Sequence, residues 1–211
     1  YGYAQKLSEK RRAAAKKFEG EIEAQLNDLG MKGTTFRVDF NGAPSLEEFS
    51  SSVSPEGYDK VEFLLSPNKG EPLKPLAKII SGGEMSRFML AIKNITAKIE
   101  KIPTMVFDEI DIGISGGMAQ MVAVKLANVS KDYQCIVITH LPQICAMADA
   151  NMLIAKSVVG ERTETRLTVL DENGKTEEVA RLMGGKNIGE YSRLHAKEMI
   201  DWAKNMKAGR G

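Results

Sequence analysis

Three short stretches carry side chains that could handle a phosphate. The first is Ile80-Ser81-Gly82-Gly83-Glu84-Met85-Ser86-Arg87. Beyond its serine and two glycines, apolar Met85, Phe88, Met89, Ile92 and Ile99 recur at helical spacing. Ser81 therefore stands where a helix begins, with Glu84 in the first turn. A helix N-terminus offers unpaired N–H groups and a positive dipole end, so a hydroxyl with bare backbone there suits a phosphate. An N-cap serine followed by a tight diglycine turn would look the same.

The second and third stretches are apolar strands with polar ends. Ile102-Pro103-Thr104-Met105-Val106-Phe107 runs into Asp108 and Glu109, and Cys135-Ile136-Val137-Ile138-Thr139 runs into His140. In parallel α/β sheets ligands gather beyond the carboxyl ends of strands. Asp108 at such an end suits a Mg²⁺ shell, because a fixed carboxylate is a hard oxygen ligand that often works through water. Glu109 points elsewhere and could orient or deprotonate an attacking water. His140 could donate to a terminal phosphate. The plainer alternatives are an exposed strand end for the acidic pair and a helix-capping role for His140. His195, alone on a helix, is structural or exposed. A phosphate-cradling G-x-x-x-x-G-K-[ST] loop is missing. Gly174-Lys175-Thr176 copies its end, but Val169 stands where the first glycine belongs, and the segment reads as an ordinary turn.

The elements that must position these residues can be followed along the chain. Leu7 to Leu29 forms one helix with a single apolar stripe of Leu7, Ala14, Phe18, Ile22, Leu26 and Leu29. At 1.5 Å per residue it is roughly 35–45 Å long, which fits one strand of a coiled coil better than a core helix. A helix lying on its own domain is the alternative. Lys6, Lys10, Arg11, Arg12, Lys16 and Lys17 make its first half basic: a solvated face, or one that touches DNA. Strands follow at 35–40 and 60–66, separated by a Ser/Pro/Gly-rich loop over 43–57. The proline-stiffened run Glu71-Pro72-Leu73-Lys74-Pro75-Leu76 leads to the Ser81 helix. Then strand 104–107, helix 117–129, strand 134–139, helix 142–148 and strand 151–156 alternate. This rhythm predicts an α/β fold whose parallel sheet is covered on both faces. Residues 163–170 pair back as a hairpin, and helices at 176–183 and 189–207 close the chain.

Composition sets wide bounds. A chain of 211 residues with 43% hydrophobic residues can bury one sizeable core. A net charge of +1 speaks neither for nor against a nucleic-acid partner. Cys135 and Cys145 form no CxxC pair, sit in apolar segments, and are expected as buried reduced thiols, which suits the cytoplasm. No run approaches the ~20 apolar residues of a membrane span, and no signal-peptide pattern opens the chain. Tyr1 begins mid-pattern without a methionine, so the chain is expected to be a fragment.

Together these stretches resemble the C-terminal half of an ABC-type ATPase head, split by a long coiled coil in SMC-like proteins. Ile80–Glu84 resembles the signature motif, Thr104–Glu109 the Walker B strand, Asp111–Gly116 the D-loop and His140 the switch histidine. The resemblance is closer still to the bacterial recombination and repair branch of that family. It is carried by Gly57-Tyr58-Asp59-Lys60-Val61-Glu62-Phe63, Asn68 to Leu76, Ser81 to Arg87, Asp108 to Gly116, Thr139 to Gln143, and Met183-Gly184-Gly185. Ser115 departs from it, standing where ABC transporters usually carry an aspartate.

The resemblance implies residues 1–30 as the end of a coiled-coil helix and 31–211 as the C-terminal lobe of the head. It implies two heads sandwiching two ATP molecules. Ser81, Gly82 and Gly83, with Glu84 and Asp111, would be nucleotide-binding, Asp108 would hold Mg²⁺, and Glu109 and His140 would be catalytic. Its partners would be an N-terminal head lobe carrying the P-loop, a second head in a homodimer, and DNA at a double-strand break, with no membrane. It would work in the cytoplasm, at the nucleoid. An ABC-transporter ATPase subunit is a second reading, against which residues 1–29 count, and a non-catalytic interaction lobe is a third.

Overall fold

The computed structural model describes residues 1–41, 44–78, 82–100, 102–159, 162–185 and 188–209. The chain divides into two compact units, Tyr1–Lys101 and Ile102–Gly211. Among the described residues no helix is long and apolar enough to cross a membrane.

The first unit opens with helix α1 (Gly2–Asp28), followed by strand β1 (Thr35–Asn41), helix α2 (Leu46–Ser52), strands β2 (Lys60–Ser66) and β3 (Lys74–Pro75), and helix α3 (Gly82–Glu100). The three strands form an antiparallel sheet in the order β1-β2-β3. Of the predicted stripe of α1, Ile22, Leu26 and Leu29 are fully buried while Leu7 is exposed. The charged face of α1 is not simply solvated. Glu19 and Glu23 accept the backbone N–H groups of Val38 and Phe36 at 2.8 and 2.9 Å, satisfying donors along β1. Arg11 donates to the buried carboxylate of Asp59, and Arg12 stacks over Phe40. Phe36 gathers Phe18, Phe63 and Phe88 at centroid distances of 5.9, 5.4 and 5.5 Å.

One expectation fails here. Residues 43–57 are not all loop, because Ser45 and Glu48 form a reciprocal capping box that starts α2. The S-x-x-E spacing was the signal, and the surrounding serines hid it.

The second unit contains strand β4 (Thr104–Phe107), helix α4 (Gly116–Val129), strand β5 (Gln134–Val137), helix α5 (Pro142–Met147), strands β6 (Asn151–Val159) and β7 (Arg162–Leu170), and helices α6 (Glu172–Gly184) and α7 (Glu190–Lys207). β4 and β5 pair in parallel with Val106 opposite Ile136, and α4 is the crossover that such a pair requires. β6 and β7 form the expected antiparallel hairpin. Cys145, Ala146, Val179, Ala180, Ala196 and Ile200 build a small core among α5, α6 and α7.

Two further expectations change. The parallel pair is covered on one face only: Met105 and Phe107 are buried, whereas Val106, Ile136 and Ile138 are exposed. Strand residues alternate sides, so an unbroken apolar run records that both faces are apolar, not that both are packed within this chain. Gly174-Lys175-Thr176 is not an ordinary turn but lies in the first turns of α6. Asp171 caps that helix by accepting the Gly174 N–H at 2.7 Å, and Lys175, buried, donates to the carbonyl of Ala148 at 2.5 Å.

Candidate ATPase site

The site residues on β4 and β5 are positioned by the parallel pairing itself. Phe107 lies opposite Val137, and the Ile138 N–H donates to the Phe107 carbonyl at 3.0 Å, so both strands leave the sheet together. Asp108 and Glu109 follow directly and are exposed. The Glu109 N–H donates to Oδ1 of Asp108 at 2.9 Å. Glu109 has φ 58°, the one described non-glycine residue in the left-handed region. Such a backbone is uncommon for a residue with a long side chain.

The chain then folds inward. Ile110 and Asp111 are buried, and turn bonds from Ile112 to Glu109 and from Ile114 to Asp111 shape the loop, with Gly113 at φ 75°. Oδ2 of Asp111 accepts the Thr139 hydroxyl at 2.6 Å and the His140 backbone N–H at 2.9 Å. His140 Nδ1 lies 3.1 Å from the same oxygen, while most of its ring faces solvent. The Thr139 hydroxyl in turn accepts the Leu141 N–H, and Pro142 then starts α5. The loop after β4 and the loop after β5 are thus tied through one buried carboxylate. Reading Asp111 as a nucleotide-binding D-loop residue left this tie out; the signal available was an aspartate four residues beyond a strand end, opposite a Thr-His turn.

The stretch 80–87 belongs to the first unit. Ile80 and Ser81 lie outside the described residues. α3 starts at Gly82, as the pattern predicted, with Gly83 buried and Glu84 in its first turn. Phe88, Leu90 and Ala91 bury α3, and Asn94 donates to Gln25 of α1 at 2.9 Å. The predicted stripe was partly misdrawn, for Met89 and Ile99 are exposed and Arg87 is buried. Burial lowers the pKa of the Arg87 guanidinium, and the charge of Glu84 opposes that. His195 is exposed on α7, beside Glu198 and Trp202, and takes no part in the strand-end cluster.

Among the described residues no three His, Cys, Asp or Glu side chains cluster to hold a metal ion. Asp108 alone offers one oriented carboxylate at a strand end. That fits Mg²⁺, which keeps several waters and takes one or two protein carboxylates together with substrate phosphates.

No known family model matches the chain. It is 41% identical to the DNA repair protein RecN of Halalkalibacterium halodurans over 95% of its own length, and 40% identical to that of Bacillus subtilis over 97%. Over its own length the chain is similar to the RecN proteins. It matches their C-terminal part and spans 35% and 37% of those two relatives. Among solved structures it resembles the Smc head domain with coiled coil and joint from Pyrococcus yayanosii (TM-score 0.55, 21% identity, 82% of this chain and 30% of that one). It also resembles the Smc head with extended coiled coil from Pyrococcus furiosus (TM-score 0.51, 23% identity, 81% and 39%). The RecN-like chain therefore has the α/β fold of an SMC-type head, led by one long helix.

Proposed function

We propose that this chain is the C-terminal lobe of an ATPase head acting in DNA double-strand break repair. In this reading residues 1–30 end a coiled-coil helix and 31–211 form the lobe. What carries the reading is the meeting of Asp108, Glu109 and the Thr139–His140 turn at the carboxyl ends of neighbouring parallel strands, in a chain whose relatives are DNA repair proteins. The bare apolar side of β4–β5, with Val106, Ile136 and Ile138, supports a second lobe packing there.

ATP sits on the P-loop of that second lobe. Asp108 would hold Mg²⁺, and the ion would supply charge neutralisation at the phosphates. Glu109 takes a proton from water as the water oxygen bonds to the γ-phosphorus; the bond to the β–γ bridging oxygen breaks, and ADP leaves with its electron pair. His140 donates to a γ-phosphate oxygen. Ser81, Gly82, Gly83 and Glu84 act on nucleotide held by the opposite head of a homodimer, where a helix N-terminus favours anions. DNA is the partner of the intact protein, in the cytoplasm at the nucleoid.

The test mixes this chain with an N-terminal fragment bearing the P-loop and measures ATP turnover with and without DNA. Turnover should need both pieces. Its absence from the mixture, when the intact protein turns over ATP, counts against the split-site reading.

A further inference from the structure

Asp111 does something that the strand-end carboxylates do not. Its carboxylate is buried, and among the described residues Oδ2 accepts from the Thr139–His140 turn, the hydroxyl at 2.6 Å and the backbone N–H at 2.9 Å, with the imidazole Nδ1 lying 3.1 Å from the same oxygen. Asp108 and Glu109, three and two residues earlier, are exposed. A buried carboxylate is retained at the cost of desolvation, which these charge-assisted bonds offset. Here they lock one short turn.

We propose that Asp111 is a positioning residue for His140, acting through the histidine and not by touching nucleotide. The proposal rests on the reading of His140 as the γ-phosphate donor. The carboxylate beside Nδ1 selects the ring form with a proton there. It also fixes the ring's rotation through two bonds to the turn's own backbone and hydroxyl. Nε2 then points outward and is set to meet a phosphate oxygen, as an imidazole oriented by a carboxylate does in other sites. The chain Leu141 N–H to Thr139 hydroxyl to Asp111 makes Thr139 part of the same support. Because Asp111 follows Glu109 by two residues, one short loop carries both the base and the residue that aims the histidine.

The experiment is a double-mutant cycle on ATP turnover in the full-length protein, using Asp111→Asn, His140→Ala and the pair. Asp111→Asn should lower kcat about tenfold or more, with KM for ATP changed little. In the His140→Ala background the same change should cost nothing further. Equal losses in both backgrounds, or a loss confined to KM, would overturn the positioning role. If His140→Ala itself leaves turnover intact, the proposed function of the histidine fails instead, so the two failures separate. Should Asp111→Asn not fold, as judged by its thermal melt, the readout passes to Thr139. There Thr139→Val should lower kcat several-fold and Thr139→Ser should recover most of that loss; equal rates for the two would reject the proposal.

Discussion

The backbone N–H of Glu109 donates to Oδ1 of Asp108 across 2.9 Å, and Glu109 makes this bond with φ at 58°. The Asp108 carboxylate thereby caps the first N–H beyond the strand end. A non-glycine residue held in the left-handed region costs on the order of 1–3 kcal/mol, and the surrounding structure must hold it there. Ile110 and Asp111, buried directly behind, supply that hold.

This strain separates stability from activity at one position. Asparagine tolerates the left-handed region better than glutamate, so Glu109→Asn should raise stability by about 0.5–1 kcal/mol while abolishing turnover. Glu109→Gln keeps the strain. In the intact protein it should leave ATP bound and turnover lowered by about 10²–10⁴-fold, the usual worth of a positioned base. Thermal melts beside single-turnover assays check both. Normal hydrolysis by Glu109→Gln would remove Glu109 from its role.

A second prediction concerns α1. Asp59 accepts the Ser8 hydroxyl at 2.6 Å and Arg11 Nη1 at 2.9 Å. Burial pushes its carboxyl up, but those two bonds and the charges of Arg11 and Arg12 outweigh it and hold the pKa below the ordinary value. A lowered native pKa adds stability that is present above the unfolded value, near 3.9, and is lost as pH falls through the native one. Asp59→Asn should cost about 1–3 kcal/mol at pH 7 and show a smaller further loss below about pH 4 than the wild type. Denaturant melts across pH measure this; parallel curves would reject it. Gly57 belongs to the same contact, because at φ 98° a Cβ would stand 3.3 Å from both Arg11 Nη1 and Leu7 Cδ2.

The thiols give a third. Burial pushes the Cys145 pKa up to about 11 and raises that of Cys135. Thiolate is the reactive form, so neither should alkylate quickly at pH 7.5 in the folded chain, and both should on unfolding. Rapid labelling of Cys145 under native conditions would contradict its packing among α5, α6 and α7.

The exposed apolar side of the parallel pair gives a fourth. The chain by itself should self-associate, and Ile136→Lys should reduce this with a change in stability within about 0.5 kcal/mol, since Ile136 is half in solvent. Sedimentation over a concentration series reads the outcome. Monomeric behaviour of the unaltered chain at high concentration would reject it. Isolated, the chain should also bind ATP negligibly, which calorimetry tests.

Much of the architecture was legible because it is written in local patterns. The apolar run Thr104–Phe107 and the strand expected at 60–66 match the observed strands residue for residue. The start of α3 at Gly82 followed from glycines placed before a helical period. Helix α2 was hidden because one capping pair decides it, and the first turn of α6 because Asp171 captured a glycine-lysine-threonine run that imitates a phosphate loop. What could be read in the site was the set of residue types at strand ends, not their partners.

The sequence by itself determined which carboxylates and which histidine end the parallel strands, since strand length and apolar patterning are properties of neighbouring residues. Only the tertiary structure decided that Asp111 turns inward to grip Thr139 and His140, 28 and 29 residues away. It alone decided, too, that one side of β4–β5 stays bare. Both depend on which segments meet in space, and a hydrogen bond or a covered face between distant segments leaves no periodicity in the chain to read.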